Sequence, residues 1–383
     1  MSTTSKYEYL VAIHDRYHNA SKADKTIILD EFCTVCGYHR KYAIRRLAAP
    51  NIADQSPRLS HRGRKKVYDN PLILDVLRDL WIATNLPCSK RLKAIIPLWL
   101  PYYEMRSLSD ELKHQLLSIS AASVDRLMAP LRARYQQHGF ATTKPGSLLR
   151  KHIPISTDQW NETMPGFIEV DTVAHCGTST EGMFVYTINC VDIATSWTEQ
   201  RAVWGKGETG VLTAMTAIER HLPFPLKGFD CDNGSEFLNW HLYRHFTQRN
   251  QPVQFTRSRP YQKNDNAHVE EKNYTKVRLY LGYQRFDKPE LVAQLNELFA
   301  NDWNQLMNFF MPSFKLIAKY RKGANIIKQH DHPKTPWQRI LESPHIPDKT
   351  KQRLQQQFQQ LNPFELYHHM DCKIKAIIKQ VND

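Results

Sequence analysis

Three carboxylates stand where their setting suggests chemistry. Asp171 interrupts the apolar run Phe167-Ile-Glu-Val-Asp-Thr-Val173. A charge inside a buried strand costs free energy unless a hydrogen-bond network or a metal compensates it. Asp232 closes Gly228-Phe-Asp-Cys-Asp and precedes Asn233-Gly234, a pair that turns the chain away at the carboxyl edge of a strand, where open α/β sheets place ligands. Glu270 comes from Asn264-Asp-Asn-Ala-His-Val-Glu270, at the start of a predicted helix. Brought together, these groups suit hard divalent cations, because Mg²⁺ takes a few carboxylates and fills its shell with water and phosphate oxygens. Two such ions about 3.5–4 Å apart activate a nucleophile and stabilise the leaving oxygen of an in-line phosphoryl displacement. Glu271 competes with Glu270, but helical neighbours point about 100° apart, so only one can face the other two acids. Asp230, two residues before Asp232, is expected to share its strand face.

Other clusters are weaker. His14-x3-His18 and Cys33-x2-Cys36 have the residue types of a tetrahedral zinc site. Cys33 falls at the apolar end of a predicted helix, however, which favours a core or turn role. His175-Cys176 has no further cysteines at ligand spacing. No phosphate-binding glycine loop or nucleophile-elbow motif occurs, so no nucleotide cofactor is implied.

The elements that must position the acids divide the chain by texture. Apolar residues at helical spacing predict helices over 7–17 and from Ala23 through Phe32. Gly37 breaks the pattern, and 38–47 resumes it with Arg40, Lys41, Arg45 and Arg46 on polar positions. A helix, a glycine turn and a basic helix read as a helix-turn-helix. The run 58–66, with Arg62, Arg64, Lys65 and Lys66, is a basic linker suited to tracking phosphates. Helices over 72–83, 89–100 and 123–134 form a second helical block in which Arg126 is a candidate DNA contact. From Gly166 three strand-like runs (167–174, 183–190 and 197–204) precede helix 208–221, strand 226–231, helix 237–249, strand 253–256 and helix 266–280. That order predicts an α/β domain with a mixed sheet. The tail is basic and proline-broken to Pro336, then helical over 348–361 and 363–379.

With 383 residues the chain is long enough for two or three domains. Its 52 Lys+Arg against 38 Asp+Glu give a net charge of +14, and seven cysteines are scattered along it. The charge points to a polyanionic partner, and the cysteines argue for a reducing interior rather than a disulfide framework. No apolar run approaches the length of a membrane span, and the N-terminus lacks a signal-peptide core.

Residues 166–310 resemble the catalytic core of DDE transposases and retroviral-type integrases. The resemblance is carried by Val170-Asp171-Thr172, the hairpin Val191-Asp-Ile-Ala-Thr-Ser-Trp197, Asp232-Asn-Gly-Ser-Glu-Phe237, and Arg259-Pro-Tyr261 ahead of His268-Val-Glu270. Within that family the chain looks closest to bacterial insertion-sequence transposases of the ISNCY type. The resemblance implies a ribonuclease-H-like core with Asp171, Asp232 and Glu270 as catalytic metal ligands for two Mg²⁺ (or Mn²⁺) ions. It implies Lys263 and Lys276 as DNA contacts. The implied activity is DNA nicking and 3′-hydroxyl strand transfer at the terminal inverted repeats of a mobile element. The expected partners are double-stranded DNA and further copies of the chain, in a prokaryotic cytoplasm. The expected organisation is a helix-turn-helix domain (1–57), basic linker (58–70), second helical DNA-binding domain (71–143), linker (144–160), catalytic core (161–309) and basic C-terminal region (310–383). A ribonuclease-H-type nuclease and a silent DNA-binding regulator derived from a transposase are the alternatives.

Overall fold

The computed structural model describes residues 1–50, 67–134, 162–232, 234–257, 273–323 and 325–382. The chain forms two compact units, Met1–Val67 and Tyr68–Asp383. In the first, α1 (Thr3–Asn19), α2 (Lys22–Cys36) and α3 (Arg40–Leu47) begin at the side chains of Ser2, Ser21 and His39, each accepting a backbone N–H of the first turn. Gly37 ends α2 at φ 65°, the left-handed conformation glycine adopts without penalty. Leu10, Ile13, Ile28, Leu29, Phe32, Cys36, Ala43 and Leu47 close the core of this unit.

The second unit begins with α4 (Pro71–Ala83), α5 (Ser89–Trp99), α6 (Asp110–Ser118) and α7 (Ala121–Arg132). The strands β1 (Phe167–Ala174), β2 (Val185–Asp192) and β3 (Thr198–Trp204) follow as an antiparallel meander. Then come α8 (Glu208–His221), β4 (Gly228–Cys231), α9 (Trp240–Thr247) and β5 (Gln254–Arg257). β4 and β5 join parallel to β1, so the five-stranded order is β3-β2-β1-β4-β5. The helical N-terminus and the mixed sheet with helices in the middle of the chain match the sequence expectation. The boundaries expected at 58 and at 144–160 fall outside the described residues.

Beyond the sheet, a π-helical turn (Asn273–Arg278) runs into the short α10 (Leu279–Leu281). α11 (Glu290–Leu298) continues through a second π-turn (Phe299–Trp303) into α12 (Asn304–Phe310). The tail holds the helices expected over 348–361 and 363–379, and the stretch read only as basic and proline-broken has structure of its own. Its first part is a hairpin of β6 (Leu316–Lys322) and β7 (Asn325–His330). α13 (Pro336–Glu342), α14 (Asp348–Gln359) and α15 (Pro363–Asn382) complete it.

The helical block, the sheet and the tail share one core. Trp99 on α5 donates its Nε1–H to the Phe310 carbonyl at 3.1 Å and packs edge-on against Phe364 of α15. Phe229 at the centre of the sheet stacks on Phe246 of α9 and Phe255 of β5. No helix among the described residues is long and apolar enough to cross a membrane.

One turn joins these parts at the start of β1. Buried Asp192 accepts from the N–H groups of Gly166 and Thr195, both at 2.8 Å, and from the Thr195 hydroxyl at 2.6 Å. The Gly166 carbonyl in turn accepts from Lys227 and Gly228 at the head of β4. Gly166 has φ 111°, and a Cβ there would lie 2.4 Å from the Pro225 carbonyl oxygen. Gly166→Ala therefore combines backbone strain with a clash against main chain. It should destabilise the protein by about 2 kcal/mol or more, read as a lower urea midpoint.

Candidate active site

β1 and β4 run parallel with Val170 opposite Cys231, so the next positions, Asp171 within β1 and Asp232 just past the carboxyl end of β4, stand side by side. Asp171 is opposite Asn189 on β2, and Asn189 is opposite Gln200 on β3. A row of polar side chains, Gln200, Asn189, Asp171 and Asp232, thus crosses β3, β2, β1 and the end of β4.

The row is hydrogen-bonded in one direction. Gln200 Nε2 donates to Asn189 Oδ1 at 2.8 Å, and Asn189 Nδ2 donates to Asn273 Oδ1 at 2.9 Å. Asn273 Nδ2 then donates to Asp171 Oδ2 at 2.6 Å. An ionised carboxylate only accepts, so Asp171 sets the orientation of every amide behind it. Its other oxygen, Oδ1, accepts the Thr172 N–H at 2.7 Å. Asp232 Oδ1 accepts the Gly234 N–H at 2.8 Å as the chain turns off the sheet.

Glu236 completes the electrostatics. It is buried, accepts the Thr172 hydroxyl at 2.9 Å and forms an ion pair with Lys206, whose ammonium also lies over the Tyr186 ring. Burial, reinforced by the Asp232 charge, pushes Asp171 up to about 7. Burial and the Glu236 charge also raise Asp232, with Lys206 opposing them. Two carboxylates that raise each other's proton affinity while backbone and amide donors hold them form a donor set suited to a hard divalent cation. Among the described residues no three His, Cys, Asp or Glu side chains group as metal ligands.

Glu270, Lys263, Arg62, Arg64, Lys65 and Lys66 lie outside the described residues. Asp230 does share the face of Asp232, but the Thr256 hydroxyl donates to it at 2.6 Å inside the sheet. Lys276, expected to touch DNA, is instead buried, with Nζ 3.3 Å from the Met307 sulfur. The helical register that follows Asn273 turns it toward α12 rather than toward solvent. Lys41, Arg45 and Arg126 are exposed, Arg46 is half-buried, and Arg40 pairs with Asp30. His14 and His18 direct Nε2 to the carbonyls of Ala49 and Leu47, each at 2.9 Å, beyond and at the end of α3. Cys36 belongs to the core of this unit. His175 is buried against Phe286, 2.8 Å from the Thr187 hydroxyl, and burial lowers it to about 3.

Sequence reasoning assigned no role to Asn189, Gln200, Lys206 or Glu236. The amides carried a signal, since Asn189 interrupts the apolar run Val185-Tyr-Thr-Ile-Asn-Cys-Val191 just as Asp171 interrupts its own.

No family model matches the chain. The uncharacterized protein y4rM of Sinorhizobium fredii (strain NBRC 101917 / NGR234) is 40% identical over 341 residues, covering 88% of this chain and 95% of its own length. The chain belongs to the family of y4rM. Among solved structures, a chain of the simian T-cell lymphotropic virus intasome in complex with PP2A regulatory subunit B56 gamma is 14% identical, covering 61% of this chain and 70% of its own length at a TM-score of 0.31. The catalytic core domain of BIV integrase is also 14% identical, covering 47% of this chain and 96% of its own length at a TM-score of 0.29. Superpositions this loose carry no weight beside the strand order and register.

The raised Asp171 has a measurable consequence. In the unfolded chain an aspartate releases its proton near 4, whereas folded Asp171 holds it to about 7. The folded state binds more protons across that window, so its stability falls as pH rises from about 4 to about 7. Burial also raises Asp192 to about 6 and Glu199 to about 7, and both contribute slopes of the same sign. Urea unfolding of the cation-free protein should show a shallower decline for Asp171→Asn than for the wild type. Equal slopes would mean that Asp171 is solvated like an ordinary surface carboxylate.

Proposed function

We propose that the chain is a DDE-type transposase, a polynucleotidyl transferase that acts on the ends of a mobile DNA element. The observation that carries this reading is the Asp171–Asp232 pair, Asp171 within β1 beside Asp232 just past the end of parallel β4, with Asp171 raised by burial and by the Asp232 charge. The mixed sheet and the Asp232-Asn-Gly-Ser-Glu-Phe motif support the ribonuclease-H-like core that the sequence resemblance implies. Asn273, which donates to Asp171, stands three residues after Glu270 in the sequence.

Asp171, Asp232 and Glu270 would hold Mg²⁺ or Mn²⁺, two ions per site. Bound there, the cations supply Lewis acidity toward a scissile phosphate and its nucleophile. The chain's own groups do the positioning. Asn273 and the Thr172 N–H fix the two oxygens of Asp171, and the Gly234 N–H fixes Asp232. Lys206 holds the charge of Glu236 in check beside them. The nucleophile is water for nicking and a DNA 3′-hydroxyl for strand transfer, so no covalent bond from protein to DNA is required. α2, the Gly37 turn and α3 serve in this proposal as the helix-turn-helix that binds the terminal inverted repeats, with Lys41 and Arg45 toward the phosphates. α7 with Arg126 provides a second contact. Two ends must be held at once, which calls for a dimer or larger assembly on DNA in a prokaryotic cytoplasm.

The decisive experiment incubates purified protein and Mg²⁺ or Mn²⁺ with labelled duplexes carrying the element's flanking ends, then looks for joined products. Asp171→Asn, Asp232→Asn and Glu270→Gln should each reduce joining at least about 100-fold, the scale on which loss of a charge-stabilising group slows a reaction. DNA binding should stay near wild type. Cleavage without joining would replace this reading with a nuclease. Binding without any metal-dependent chemistry would replace it with a regulator.

A further inference from the structure

Between Phe314 and His330 the chain carries Lys315, Lys319, Arg321, Lys322 and Lys328 and no acidic residue. This stretch is the β6–β7 hairpin, whose strands pair only with each other. A lone two-stranded ribbon is marginal in water, and this one is secured at its root. Lys315 N–H donates to Asp331 Oδ1 at 2.7 Å, and Asp331 N–H returns a bond to the Lys315 carbonyl at 3.0 Å. Arg339 pairs with Asp331 and donates to the Ser313 carbonyl at 2.8 Å. Lys315 Nζ reaches the Ala194 carbonyl at 3.0 Å, which ties the root to the β2–β3 turn.

Beyond the root, Arg321, Lys322 and Lys328 are exposed, and among the described residues no carboxylate pairs with them. Tyr320 is 51% exposed on the same ribbon. An anchored base and a basic tip with an exposed aromatic ring fit a polyanion. A two-stranded ribbon also matches the width of a DNA major groove, roughly 12 Å.

We infer that the β6–β7 ribbon is an arm that binds duplex DNA, with Arg321, Lys322 and Lys328 on phosphates and Tyr320 against the sugar or base edges. This rests on the proposed DNA substrate but is independent of the acidic site.

The test measures binding of the full-length protein to a fluorescent random-sequence duplex by anisotropy, over salt from about 50 to 300 mM. Each phosphate contact contributes about 0.9 to the slope of log affinity against log salt. The triple variant Arg321→Ala, Lys322→Ala, Lys328→Ala should therefore show a slope shallower by about 2–3. The charge-preserving variant Arg321→Lys, Lys322→Arg, Lys328→Arg should keep the wild-type slope, which separates lost charge from lost folding. If the alanine variant keeps wild-type slope and affinity, the arm is overturned and the DNA reading stands. If the variant binds DNA normally but sediments as a smaller species than wild type, the ribbon is a contact between copies and the inference is overturned. A wild-type chain that ignores DNA overturns both.

Discussion

Two half-buried carboxylates held side by side are the constraint around which the sheet domain is organised. Asp171 and Asp232 would separate or protonate if left to themselves. The chain holds them by parallel pairing of β1 and β4, by N–H donors from Thr172 and Gly234, and by the Asn273 amide. Lys206 meets the third charge, Glu236, so the cluster is not left wholly acidic. Held in this way, the pair stores repulsion that a bound cation would relieve.

The polar row across β3, β2 and β1 shows how the constraint spreads. A buried amide costs free energy unless its donors and acceptors are matched. When Asp171 is ionised it can only accept, so the Asn273, Asn189 and Gln200 amides take one orientation, and the π-turn after β5 is pulled onto the sheet. The site therefore extends well behind the acids. Its supports come from strands distant in sequence, and the hydrogen bonds that align them couple the placement of Asp171 to sheet register.

The helical block before the sheet and the helices after it have a structural task whatever else they do. Trp99, Phe310 and Phe364 come from three separate regions and meet in one core. Tyr68–Asp383 is accordingly one compact unit, and α4–α7 lend apolar surface to the sheet domain. A DNA contact on α7 would then be carried rigidly with the sheet. The three-helix unit at the N-terminus keeps a core of its own.

Much of the sheet domain was legible in the amino-acid order. The run 167–174 and the helix 208–221 were read to their bounds, because apolar periodicity and flanking glycines are local signals. The anomaly of an aspartate inside an apolar run marked Asp171, and Asn233-Gly234 marked the strand end at Asp232. Local pattern could not show which residues meet across strands. Glu236 and Lys206 read as ordinary charges, Lys276 as a surface lysine, and the ribbon 316–330 as irregular basic tail. Their roles depend on partners tens of residues away. Residue types along the chain settled which groups were costly to bury. Only the tertiary structure decided what shares that cost, because compensation between charges falls with distance in space and takes no account of distance along the chain.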